Sequence, residues 1–170
     1  MKSSAMGLLV VAVLLGLGSC ATVPSVEVPA GFAAYRDTAP PKAVSPEGVG
    51  FRLRQVHNDP PQSLEFWGNA LQRHLSDAGY LLVDQEGFVA PAGSGLSFEW
   101  AAPVGEEDWL YLVAIVVTAD HILIAEAAGS VDRYRLHRES VREALTTMSV
   151  DRAGGARTHS SSAPITKSGT

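Results

Sequence analysis

Two apolar runs separated by three residues constrain this chain more than any other feature. Residues 109–118 are apolar at nearly every position and rich in β-branched side chains, and residues 122–127 repeat that character after Ala119-Asp120-His121. An apolar run without alternation, at this length, reads as a central strand covered on both faces. Three residues are too few for a crossover, so the two strands must pair antiparallel. A membrane span over the same stretch is excluded by Asp120, His121 and Glu126, each of them expensive in hydrocarbon.

The flanking sequence supplies the partners. Leu96, Phe98 and Trp100 alternate with Ser97 and Glu99, and Phe51 to Val56 alternate likewise, so both read as half-buried strands. Asn58-Asp59-Pro60-Pro61 stops the earlier strand. Ser63 is placed as an N-cap, with Glu65 in the first turn where a negative charge suits the helix dipole. Leu64, Trp67, Leu71, Leu75 and Ala78 then recur at helical spacing up to Gly79, which ends the helix. Residues 80–83 read as a short strand, Gly93-Ser94-Gly95 as a turn, and residues 105–108 as a loop. Val141, Ala144, Leu145 and Met148 mark a second amphipathic helix that begins between Asp132 and His137. The expected class is α+β, an antiparallel sheet packed against two amphipathic helices, over residues 48–150.

The N-terminus speaks about location. Met1-Lys2 precedes an apolar core from Leu8 to Leu15, too short for the roughly 20 residues of a membrane span but right for an export signal. It closes on Leu17-Gly18-Ser19-Cys20, which resembles the lipobox of bacterial lipoproteins in all four positions. That resemblance implies cleavage between Ser19 and Cys20, diacylglycerol on the Cys20 sulfur and an acyl group on the new amino terminus. No other cofactor is expected. Each buried methylene contributes about 0.8 kcal/mol, so two or three acyl chains hold a protein on a bilayer without a spanning helix. Ala21, where an Asp would favour inner-membrane retention, points to the outer membrane of the cell envelope.

Removing 19 of 170 residues leaves a mature chain of 151. Residues 20–47 carry Pro24, Pro29, Pro40, Pro41 and Pro46 and read as a lipidated Cys followed by an extended spacer, with Phe32 and Tyr35 as its candidates for docking on the body. Residues 151–170, with Gly154-Gly155 and Ser160-Ser161-Ser162, read as a disordered tail. The 46% apolar content supports a packed body between them. A net charge of −5, with no cluster of basic residues, argues against a nucleic-acid partner.

The body resembles the PsbP-like fold group, which includes photosystem accessory proteins and a nuclear-transport GTPase binder. The likeness lies in the Phe66-Trp67 helix ending at Gly79-Tyr80, the apolar strand at 109–118, and Glu126-Ala127-Ala128-Gly129 before the last helix. It implies an α+β sandwich and a mostly non-catalytic binding or assembly role.

Catalytic signatures are sparse. The chain has no Gly-x-Ser-x-Gly, no phosphate-loop motif and no Gly-x-Gly-x-x-Gly. A single cysteine excludes an internal disulfide and a cysteine-based zinc site. His57, His74, His121, His137 and His159 show no ligand spacing, so no metal is expected. Glu106, Glu107 and Asp108 form an acidic loop with the reading of a solvated hairpin end. Glu126 interrupts an apolar strand, either on a polar face or paired with Arg133 or Arg135, and is otherwise a ligand-binding carboxylate. Trp67, Trp100 and Trp109 are expected in the core; two exposed on one surface would mark a contact site.

These readings favour a membrane-anchored envelope lipoprotein acting as a non-catalytic protein-binding or assembly module. A periplasmic carrier of a small hydrophobic ligand is the alternative, and an envelope hydrolase the third class. Cys20→Ala is expected to release the protein from membranes without unfolding the body; recovery of the variant in detergent-extracted membranes would overturn the anchor.

Overall fold

The computed structural model describes residues 22–36, 42–104 and 107–152. The chain runs β1 (Thr22–Ser25), β2 (Ala33–Ala34), β3 (Lys42–Val44), β4 (Gly50–His57), α1 (Leu64–Asp77), β5 (Leu81–Ala90), β6 (Gly93–Val104), β7 (Glu107–Val117), β8 (His121–Ser130), α2 (Val131–Leu145) and β9 (Ser149–Arg152). Seven strands form one sheet in the order β2-β3-β4-β8-β7-β6-β5, and β1 pairs with β9 in a separate ribbon. Every pairing is antiparallel. The expected class, an antiparallel sheet with two helices, is the class observed.

The apolar run of β7 has the predicted cause. Leu110, Leu112, Ala114 and Val116 face one side of the sheet and pack with Tyr134, Val141 and Leu145 of α2. Val113 and Ile115 face the other, with Phe98, Trp100 and Leu75 of α1. Alternation is silent because a helix lies on each face. Helix α1 is capped as expected: the Ser63 hydroxyl accepts a hydrogen bond from the Phe66 N–H at 3.2 Å, and Gly79 takes a φ of +88° just past its end. Helix α2 begins at Val131, one residue ahead of the expected window.

What seats each helix is polar. On the α1 side, buried Asn58 gathers three segments. Its Nδ2 donates to the carbonyls of Gln62 at 3.1 Å and Thr118 at 3.0 Å, and its Oδ1 accepts from the Gln62 N–H at 3.0 Å and Trp67 Nε1 at 2.8 Å. The end of β4, the start of α1 and the β7–β8 turn therefore share one side chain. On the α2 side, Arg138 Nε meets buried Glu99 at 2.9 Å, while Arg142 reaches Asp84 at 2.6 Å and Glu86 at 3.0 Å. These pairs tie α2 to β5 and β6.

Several boundaries differ from the sequence reading. The segment expected as a spacer enters the fold at Thr22: β1, β2 and β3 all lie within it, and Val26 and Phe32 pack on the core. Phe32 docks as anticipated, edge-on to Phe51 with ring centroids 6.4 Å apart, whereas Tyr35 is exposed. Prolines misled because Pro24 sits in a two-stranded ribbon, where every strand is an edge and a missing donor is tolerated. The expected tail likewise contributes Asp151 and Arg152 to β9, opposite Val23 and Thr22. Strand β5 spans 10 residues instead of four, since Asp84 and Glu86 pair with arginines and mask its pattern. Ser94 and Gly95 belong to β6, not a turn; a Cβ on Gly95 would lie 2.3 Å from the Phe88 ring packed across it. Glu107 opens β7, which shortens the expected loop.

Asn58→Leu is expected to lower stability by about 2–4 kcal/mol, because the Gln62 and Thr118 carbonyls and the Trp67 indole N–H lose a partner that water does not readily replace. Urea midpoints of this variant against Asn69→Leu, at an exposed position on α1, would check it.

A half-open trough with a charged end

Helix α1 lies over β5, β6 and β7 and leaves the β4–β8 side of the same face uncovered. The uncovered strip forms a trough of about 420 Å³ walled by Trp67, Ala70, Leu71 and His74 of α1 and floored by Val113, Ile115, Ile122 and Ile124. Its far rim is Arg54, Val56 and His57 of β4. At Tyr111 it abuts a second hollow of about 360 Å³, lined by Tyr35, Lys42, Arg52 and Glu126. One end of this surface is apolar and the other charged.

Glu126 organises the charged end. Alternation along β8 puts it on the same face as Ile122 and Ile124, and it is 5% exposed. Arg52 grips it through two hydrogen bonds, Nε at 2.7 Å and Nη2 at 2.9 Å; Arg54 Nε donates at 3.0 Å and the Tyr111 hydroxyl at 2.5 Å. Burial works to raise the Glu126 pKa, but the donors Arg52, Tyr111 and Arg54 outweigh it and hold the carboxyl below its ordinary 4.5. The Tyr111 hydroxyl is pushed well up by burial and by the neighbouring carboxylate, so it stays a donor. Lys42 sits directly across from Arg52 in the β3–β4 register, on the same face. Two arginines therefore pair with one carboxylate, and a third cation, Lys42, lines the same hollow.

The arginines are only half committed. Arg52 and Arg54 keep 53% and 40% of their side-chain surface exposed, and among the described residues the Nη groups of Arg54 have no hydrogen-bond partner.

Glu126 is expected from the sequence either on a polar face or paired with Arg133 or Arg135; it is ion-paired, but not with those two. Both lie on α2, across the sheet, and Arg133 instead reaches the Glu47 carbonyl at 3.4 Å. The true partners lie 72 and 74 residues away in the chain. Arg52-Leu53-Arg54 did carry a signal, since two arginines at alternate strand positions share a face. Of the tryptophans, Trp100 is fully buried while Trp67 and Trp109 are half-buried, so no exposed pair forms. Trp67 alone borders the trough. His57 and His121 stack with centroids 5.0 Å apart, and His137 meets Glu47 at 2.6 Å. Among the described residues no three His, Cys, Asp or Glu side chains gather into a metal site. Asp108 and Glu107 are exposed. Ser19, Cys20, Glu106, His159, Pro40 and Pro41 lie outside the described residues.

Glu126→Gln is expected to cost about 1–3 kcal/mol at pH 7, as the arginines lose their charged acceptor. A depressed folded-state pKa stabilises above the unfolded value and is lost as pH falls through the folded one. The difference between wild type and variant should therefore shrink below pH 4.5. Equal differences in urea midpoint at pH 7 and pH 3 would contradict the assignment.

No protein-family model matches the sequence, and no curated protein matches it. Solved structures do resemble the fold. LpqN of Mycobacterium tuberculosis, involved in cell envelope biogenesis, aligns with a TM-score of 0.56 at 10% identity over 79% of this chain and 87% of its own. A Pseudomonas aeruginosa protein of unknown function, PA94, aligns at 0.49 with 10% identity over 68% and 94%. The PsbP protein of the cyanobacterium Synechocystis aligns at 0.46 with 12% identity over 80% and 96%. The chain shares with LpqN its fold.

Proposed function

We propose that this chain is a lipid-anchored component of the bacterial cell envelope, held through acylated Cys20 at the outer membrane, and that its domain is a non-catalytic binding module. The observation that carries the binding role is the half-open trough between α1 and β4–β8, apolar along its floor and cationic at one end. Apolar recesses with a few fixed polar groups are where ligands and partners dock. The non-catalytic reading is supported by the state of the carboxylate beside it. Glu126 is held ionised by two arginines and a tyrosine, whereas a general acid or base needs a pKa near the working pH. The anchor rests on Leu17-Gly18-Ser19-Cys20. Among the described residues no helix is long and apolar enough to cross a membrane. LpqN, which has this fold, is involved in cell envelope biogenesis, and a connection to the envelope is the one point this reading takes from it.

A photocrosslinking amino acid placed at Val56, on the trough rim, should capture an occupant in intact cells, whereas the same residue at Leu136, exposed on α2, should not. Adducts at Leu136 and none at Val56 would move the binding surface to the other face. Incorporation of labelled palmitate into wild type but not Cys20→Ala checks the anchor independently.

A further inference from the structure

We infer that the trough takes an amphiphile: a single alkyl chain along the α1–β8 floor with an anionic head at Lys42, Arg52 and Arg54. The inference rests on the reading of the trough as the binding surface and names its occupant. The charge asymmetry gives the head its sign. Arg52 and Arg54 share the single carboxylate of Glu126, and Lys42 lines the same hollow beside Arg52, so the site keeps an excess of positive charge after its internal pairs are made. The Nη donors of Arg54 sit where the apolar floor meets this cluster, since Arg54 lines the apolar trough and also bonds Glu126. Arginine presents such donors in a fork that fits carboxylate and phosphate oxygens.

The floor argues for a chain without polar groups of its own. Strands β4, β7 and β8 are interior to the sheet, and their backbone groups are already spent on neighbouring strands. An extended peptide laid on them would bury its own N–H and C=O groups without partners, each at the cost of its lost hydration. An alkyl chain carries no such penalty. Trp67, Ala70 and Leu71 on one side and Val56 on the other offer it carbon, the Trp67 N–H being spent on Asn58; besides Arg54, the polar side chains of these walls are His57 and His74.

The test uses the processed chain, residues 20–170, with Cys20→Ala so that no acyl group of its own competes. Calorimetry below the micelle concentrations compares decyl phosphate, decanoate, 1-decanol, decyltrimethylammonium and inorganic phosphate. Decyl phosphate and decanoate should bind, with the better of the two assigning phosphate or carboxylate as the natural head. Decanol should bind more weakly, and decyltrimethylammonium and inorganic phosphate weaker still. Arg54→Gln should weaken decyl phosphate about tenfold, as loss of one hydrogen bond to a charged group implies, and leave decanol unchanged. Ala70→Trp, which fills the trough from the helix side, should abolish binding of every alkyl ligand while the melting temperature holds. Equal affinity for the cationic and anionic chains, or for inorganic and decyl phosphate, would overturn the inference, as would indifference to Arg54→Gln. Protein adducts at Val56 in cells with no alkyl binding in vitro would leave the trough as a docking surface and remove the amphiphile. Silence in both experiments would remove both.

Discussion

A carboxylate buried on an interior strand is the constraint around which this face of the sheet is arranged. Placing an ionised side chain out of water costs several kcal/mol unless charge and hydrogen bonds replace the lost hydration. Glu126 meets that demand by drawing on both neighbouring strands: Arg52 and Arg54 from β4, and Tyr111 from β7. Once two guanidinium groups occupy the β4 side, an apolar helix can no longer lie across it. Helix α1 is displaced toward β5–β7, and the trough is the strip left between helix and arginines.

The two faces solve the same packing problem differently. On the α2 face, the charged clamp of Arg138 and Arg142 with Asp84, Glu86 and Glu99 lies beside a continuous apolar core, and the helix seals the sheet. Arg142 also keeps the Asp84 carboxyl below its ordinary range, chiefly through a direct hydrogen bond. On the α1 face the helix is held at its N-terminal end, through Asn58 and Trp67 Nε1. Its remaining length is held by Leu71 and Leu75 in the core and by Gln72 on Gln85, while the strip beside it stays open.

The legible parts of the fold were those whose signal is local. β7 and β8 could be read from uninterrupted β-branched runs, and α1 from its cap, period and terminal glycine. What escaped depends on partners distant in sequence. Nothing near residue 126 indicates that residues 52 and 54 will face it, and Asn58 reads as a chain break because its side-chain hydrogen bonds close only when two other segments arrive. β5 was undercounted because a strand whose charged residues answer charges on a helix has no hydrophobic period to detect. The N-terminal strands were hidden by proline content, which reports the absence of donors and not the absence of pairing.

The start of β1 at Thr22 has a mechanical consequence for the proposed anchored state. One residue, Ala21, separates it from Cys20, and an extended chain advances at most about 3.3–3.6 Å per residue. Acyl chains on Cys20, as proposed, would hold the β1–β9 ribbon close to the headgroups and limit how far the domain could stand off from them. Such a short mount would set height as well as address. The trough would stay within a narrow range of distances from the bilayer, within reach of whatever the membrane surface holds.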